Sequence, residues 1–265
     1  MRESRPLSKL LGQSWRTLHS PLLFRWARAL QPSPNHWPEG VQESFSGVDV
    51  EVLRDIRREL TNSSKVLPHR DLGAGSRIRG GRKPQEKRVG EMAQSSLTPQ
   101  SDLEALCRWL SVISNRGSML ELGTSFGLTA AAVSQLGWKV ETWEGCPVTL
   151  DIAKDVWQRV GSASSIVARL GDFRELLPQV AEGAKWDVAF LDGLHEEQAT
   201  LELADALAPH VEVCLVVDDI AWSPGMHRAW LALQDRPEWR VSFSWRGRGF
   251  LLKAPQMSRQ KFCLA

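Results

Sequence analysis

From residue 119 onward the chain alternates short apolar runs with longer amphipathic ones. Met119, Leu120 and Leu122 make a buried-strand pattern, broken only by Glu121, that ends in a turn holding Gly123 and Gly127; an Ala-rich helix follows. Further apolar runs at Lys139–Trp143, Ser165–Leu170, Trp186–Leu191 and Val211–Val217 read as strands. Between them, Val148–Val160, Phe173–Ala181 and Glu196–Leu207 carry helical spacing, and Ser223-Pro224 caps a helix running through Leu233. Trp239–Trp245 and Phe250–Lys253, separated by R-G-R-G, predict a closing antiparallel hairpin. Five strands alternating with helices argue for a parallel, doubly wound α/β sheet.

The N-terminal part has a different rhythm. Leu7, Leu10, Leu11, Trp15 and Leu18 fall at helical spacing with basic residues between them, so residues 1 to 30 predict one or two amphipathic helices. The proline-rich Gln31–Gly47 reads as a loop, and Val48–Leu60 as a helix with Val52, Ile56 and Leu60 on one face. Asn62–Gly90 is the least patterned stretch. It holds L-G-A-G-S-R-I-R-G-G-R-K, which reads either as an anion-binding lid or as a basic linker. Thr98-Pro99 then predicts an N-cap with proline at the first helical position, and Leu103, Cys107, Leu110 and Ile113 line a helix leading into the first strand. The expected division is a helical and loop cap over residues 1–97 and a nucleotide-binding domain over 98–265.

Composition narrows the class. At 265 residues with 42% apolar content, the chain can bury one large domain and an appendage. No apolar run reaches the ~18 residues of a membrane span. The Arg- and Ser-rich start resembles a transit peptide, but Glu3 and the lack of a compact apolar core count against one, and a cytoplasmic protein is expected. Four dispersed cysteines, Cys107, Cys146, Cys214 and Cys263, suggest neither a zinc site nor a disulfide framework. The net charge of +2 hides a split: residues 1–100 carry 17 Lys and Arg against 10 Asp and Glu, and the remainder 16 against 21. A basic front half raises a second hypothesis, a fold module docking on nucleic acid, which ranks lower because no aromatic-interleaved basic stripe accompanies it.

In a doubly wound sheet the ligand sits beyond the carboxyl ends of the strands. All five ends carry an acidic or glycine-rich signal: Gly123 to Gly127; Glu144, Gly145 and Cys146; Gly171, Asp172 and Phe173; Asp192 to His195; and Asp218-Asp219. Glu144 lies 21 residues beyond Gly123, where a carboxylate can accept both hydroxyls of a ribose. A dinucleotide fingerprint would place glycine at 125 and 128, but Ser125 and Leu128 stand there. That disfavours a pyrophosphate, and with it a nicotinamide oxidoreductase, and favours a cofactor carrying an adenosine, an ammonium and a carboxylate.

The runs E-L-G-T-S-F-G, E-G-C, G-D-F, F-L-D-G-L-H and V-V-D-D-I-A-W-S-P-G-M together resemble the class I S-adenosylmethionine-dependent methyltransferases. A bacterial subgroup of these also shows H-S-P (residues 19–21) and G-A-G-S-R (73–77). The resemblance implies a seven-stranded Rossmann-like sheet with its last hairpin antiparallel. It also implies that Gly123, Thr124, Ser125 and Gly127 line the cofactor, with Glu121 at its amino-acid end, Glu144 and Gly145 at the ribose, Asp172 and Phe173 at the adenine and Cys146 beside the ring. D-G-L-H and D-D-I-A-W are similar to the places where metal-dependent O-methyltransferases of small hydroxylated compounds hold a divalent ion. Asp192, Asp218 and Asp219 would then hold Mg²⁺, although asparagine is expected where Asp219 stands. Asp192 is also a candidate cofactor contact, and carboxylates so placed can equally cap helices. His195 is the candidate general base, its competing role being a contact to the start of the helix after it. The expected acceptor is a small molecule, methylated at a hydroxyl oxygen, with oligomerisation left open. Trp222 and Trp230 read as core, Trp222 being the better candidate for a substrate wall, and His227 as a packing residue.

Overall fold

The computed structural model describes residues 18–70 and 85–264. Of the helices predicted within residues 1 to 30, the part over residues 1–17 falls outside these, as does the G-A-G-S-R run. Helix α1 (Pro21–Ala29) is capped by Ser20, α2 (Val41–Phe45) shortens the expected proline loop, and α3 (Val50–Thr61) is capped by Asp49. The buried face of α3 is Leu53, Ile56 and Leu60; Val52, expected among them, is exposed. The unpatterned stretch contains an antiparallel pair, β1 (Val66–His69) with β2 (Gln85–Arg88), followed by a helix not foreseen, α4 (Val89–Ser96). Helix α5 (Gln100–Ile113) takes Pro99 as its N-cap, one residue past the expected start.

The sheet proper comprises β3 (Ser118–Leu122), β4 (Lys139–Glu144), β5 (Ile166–Leu170), β6 (Trp186–Leu191), β7 (Val211–Val217), β8 (Val241–Trp245), β9 (Arg248–Leu252) and β10 (Gln260–Cys263). Their order is β10-β8-β9-β7-β6-β3-β4-β5, parallel except for β9, which runs antiparallel to both β7 and β8. The expected antiparallel insertion is therefore present, but the sheet has eight strands and not seven. β10 adds to β8 in parallel at the edge.

Alternation along the strands builds two cores. On β3, Met119 belongs to one face and Leu120 and Leu122 to the other; on β9, Phe250 and Leu252 oppose Leu251. The first face is covered by α5, α6 (Leu128–Gln135) and α7 (Pro147–Arg159), and its core runs without a break into Leu23, Trp26, Leu53 and Ile56 of α1 and α3. The second face is covered by α9 (Glu197–Leu207) and α10 (Pro224–Leu233). Between β5 and β6 the expected helix shrinks to a single turn, α8 (Phe173–Leu176), and a 3-10 turn. Trp109 of α5, fully buried, meets Phe250 edge-on at 4.9 Å, which fixes the helix across the antiparallel strand. Asp102 lies two turns earlier on α5 and Arg248 two residues earlier on β9, so the same docking brings these two together.

Candidate active site

The strand ends line up because each residue just past a strand continues the ladder. Gly123 N–H donates to the Trp143 carbonyl at 3.0 Å, Asp192 N–H to Leu122 at 2.9 Å, Gly171 N–H to Glu144 at 2.9 Å and Asp218 N–H to Leu191 at 2.9 Å. The resulting row opens into a cleft of about 530 Å³, a size suited to a cofactor and a small acceptor. Gly123 sits at φ 112°, and a Cβ there would lie 2.0 Å from the Asp192 carbonyl oxygen. Only glycine permits this approach of two strand ends. Among the described residues four non-glycines have positive φ, and three of them, Ser125, Leu194 and Asp219, line the cleft. Strained backbone gathered in one place is a mark of a functional site.

Ser125 N–H donates to Glu144 Oε2 at 3.0 Å and Cys146 N–H to Oε1 at 2.9 Å. Two backbone donors thus fix the carboxylate, leaving its other lone pairs for a diol. Burial raises the Glu144 carboxyl above its usual range, and those N–H groups oppose the rise. Gly145, Asp172 and Phe173 line the same end. The Asp172 carboxylate caps α8 through the Arg174 N–H at 2.9 Å and is gripped by the Arg174 guanidinium.

Four expected contacts lie beneath the cleft surface, not in it. Glu121 is buried and accepts from the Thr142 hydroxyl at 2.6 Å, and Thr142 meets Thr124 at 2.6 Å. Gly127, at φ 76°, leaves space for the Trp157 indole, which donates to its carbonyl at 2.9 Å. Cys146 is fully buried, its sulfur accepting from the Arg70 N–H at 3.3 Å. Hydrogen bonds from His69 and Thr149 overcome burial and hold this thiol down at about 7.

Burial pushes the Glu121 carboxyl up to about 8. Its protonated form is favoured on folding, so stability falls as pH rises from the unfolded value toward 8 and the full penalty stands above that. Glu121→Gln, which keeps an acceptor for Thr142, is therefore expected to raise Tm at pH 8.5 and to leave it nearly unchanged at pH 4.5, as thermal denaturation at the two pH values would show.

At the acidic end, His195 Nε2 lies 3.7 Å from Asp192 Oδ1 and 3.8 Å from Asp219 Oδ2. Trp222 stands at the rim, 72% exposed, with its ring 6.4 Å from the imidazole. It is not core, unlike Trp230, which is buried against Gly249. His227 is half-buried and lies outside the cleft. Burial and the neighbouring carboxylates raise Asp192 well above the ordinary aspartate range, and burial raises Asp218 against the pull of Arg248.

Arg248 was hidden in the R-G-R-G run. It is buried at the cleft floor, with Nη1 2.9 Å from Asp102 Oδ2 and Nε 3.3 Å from Asp218 Oδ2, although that nitrogen lacks the angle for a hydrogen bond. This changes the metal expectation. Asp218 faces a guanidinium, its other oxygen accepts from the Asp219 N–H at 2.8 Å, and among the described residues no three acidic, His or Cys side chains are grouped to hold a metal ion. The donor set does not fit Mg²⁺, because a fixed cation already neutralises the central carboxylate.

The N-terminal part supplies much of the remaining wall: His69 of β1 and Arg70 just past it, Lys87 of β2, Met92, and Ser95 to Pro99. Ser96 Oγ lies 2.8 Å from Ser125 Oγ, joining the end of α4 to the glycine turn.

Residues 120–220 match a family model described as a methyltransferase domain. No curated protein matches the chain by sequence. Among solved structures, the Bacillus cereus O-methyltransferase in complex with S-adenosylhomocysteine is 16% identical with a TM-score of 0.51, over 60% of this chain and 82% of that one. TomG of Streptomyces achromogenes, an O-methyltransferase of tomaymycin synthesis solved with S-adenosylmethionine, gives the same identity, score and coverage. Podospora anserina PaMTH1, bound to S-adenosylhomocysteine, is 10% identical with a TM-score of 0.51, over 77% and 96% of the two chains. At these identities the likeness is one of fold. The matched methyltransferase domain spans β3 to the loop after β7, and all five strand ends meet in one cleft of a Rossmann-like methyltransferase fold.

Proposed function

We propose that the enzyme methylates a hydroxyl oxygen of a small molecule bound between the acidic strand ends and the N-terminal wall, with His195 as general base. The observation that carries this is the imidazole flanked in the cleft by two carboxylates, at 3.7 and 3.8 Å, beside the exposed Trp222 ring. A hydroxyl must lose its proton to become a good nucleophile, and a positioned histidine can take it. Asp192 and Asp219 orient the ring and share the positive charge it gains. Trp222 offers a flat apolar platform for an aromatic acceptor. S-adenosylmethionine, when bound, supplies the electrophilic methyl group. Glu144 would hold its ribose, and the backbone around Gly123 would admit its amino-acid end. The described part of residues 1–97 acts as the cap on the acceptor side, and in-line positioning beneath it contributes much of the rate. The O-methyltransferase activity of the Bacillus and Streptomyces proteins supports oxygen as the acceptor atom. Free thiols at all four cysteines suit the reducing cytoplasm.

The test is release of S-adenosylhomocysteine from a panel of phenols, catechols, aliphatic alcohols and amines, alongside single-stranded RNA and duplex DNA, with and without EDTA. Turnover on a hydroxylated small molecule, unchanged by EDTA, is expected. Turnover confined to nucleic acid, or to amines, would overturn the proposal.

A further inference from the structure

Beneath the acidic end of the cleft lies a charge pair that base catalysis does not use, Arg248 with Asp102. Asp192, Asp218 and Asp219 converge there from two neighbouring strand ends. Facing them is Arg248, whose side chain is 5% exposed and which is the one buried cation among the described residues lining the cleft. Arg248 is itself half-neutralised from behind. Its Nη1 lies 2.9 Å from Asp102 Oδ2, while Arg246 Nη1 takes the other oxygen of Asp102. Asp102 is 9% exposed and is placed by the docking of α5 on β9, not by the strand ends. Arg248 is thus divided between Asp102 behind it and Asp218 at the cleft floor, while Asp192 and Asp219 face His195.

Buried charges at such separations are screened weakly, so each one weighs on whatever binds above them. The methyl donor and its product differ at one atom: the sulfonium carries a positive charge, and the thioether left after transfer carries none. We infer that Arg248, pinned by Asp102, sets how negative the cleft floor is and thereby how strongly the enzyme distinguishes S-adenosylmethionine from S-adenosylhomocysteine. This rests on the cleft being the cofactor site. A floor left slightly negative holds the charged donor; Arg248 limits that excess, and Asp102 limits Arg248. Both are positioning residues, acting through Asp218 and the field of the floor and not by touching the transferred methyl.

The signature is a pair of opposite shifts, which loss of packing would not give. Calorimetric titration of both ligands into the full chain yields the ratio of their Kd values. Arg248→Met removes a positive charge and is expected to raise the preference for the donor about five- to twenty-fold, the range for one charge acting at an effective dielectric constant of about 20. Asp102→Asn removes a negative charge and is expected to lower the preference by a similar factor. Asp102→Asn combined with Arg248→Met should return toward the wild-type ratio, and Arg248→Lys should stay close to it. Arg248→Met leaves Asp218 without its cation and Asp102 with Arg246 alone, and is the variant most at risk of misfolding; the Asp102→Asn shift tests the inference without it. A ratio within twofold of wild type in Asp102→Asn, with both ligands bound, overturns the role of the pair and leaves the cleft as the cofactor site. Failure of the wild-type chain to bind either ligand overturns that site, and this inference with it.

Discussion

Gly123→Ala is expected to abolish S-adenosylmethionine binding and to destabilise the fold by about 3 kcal/mol or more, the range for a clash at a fixed backbone position. The added carbon would stand 2.0 Å from the Asp192 carbonyl oxygen at a φ of 112°. Neither side can yield. Gly123 is held by its N–H bond to Trp143 at 3.0 Å and Asp192 by its bond to Leu122 at 2.9 Å, so separating them breaks the ladder at the cleft floor. Gly161→Ala makes the control: φ there is 70° but nothing lies within 4 Å, so only the cost of a left-handed alanine, about 1 kcal/mol, is expected. Thermal denaturation and calorimetry of the two variants separate a local backbone preference from closure of the site.

His195→Ala is expected to lower kcat by about 10²- to 10⁴-fold, the usual contribution of a general base, while leaving the Kd for S-adenosylmethionine within about threefold of wild type. The imidazole lines the cleft at 29% exposure and takes part in neither the glycine turn nor the Glu144 cradle. Removing it should leave the backbone untouched. Steady-state kinetics with the best acceptor of the panel, beside calorimetry with the cofactor, checks both halves. Equal losses in binding and turnover would instead make His195 a structural contact to α9.

The parts of the fold that could be read in the sequence are those where periodicity and burial agree. β6, β7 and α10 match the expected bounds because continuous apolar runs and a Ser-Pro cap leave little choice. β10 was missed: Q-K-F-C is too short and mixed to read as a strand, and it exists because β8 offers it an open edge. β1 and β2 were missed for a related reason. Gln85–Arg88 is entirely polar and takes extended form through pairing with Val66–His69, a partner that local pattern does not supply.

The site divides in the same way. Ser125, Glu144, Phe173, Asp192 and His195 all reach the cleft, because a strand end in this sheet order can face only one way. Glu121, Thr124, Gly127 and Cys146 were expected there from motif position. They are packed beneath it, because neighbouring positions of a strand or turn point to opposite sides. Arg248 shows the hardest limit. In R-G-R-G only Arg246 and Gly247, with φ of 46° and 81°, form the turn, and Arg248 already belongs to the strand. A buried arginine is stable only with partners, and Asp102 is 146 residues away in the chain. No spacing rule reaches that far.

The central claim is that the cleft at the five strand ends holds S-adenosylmethionine. Isothermal titration of S-adenosylmethionine into the wild-type chain and into Glu144→Ala tests it most directly. One-to-one binding by the wild type, lost or weakened at least about 100-fold on removing the carboxylate that is fixed by Ser125 and Cys146, is the expected result. No heat of binding at high micromolar cofactor, or equal affinity in the two proteins, would contradict it.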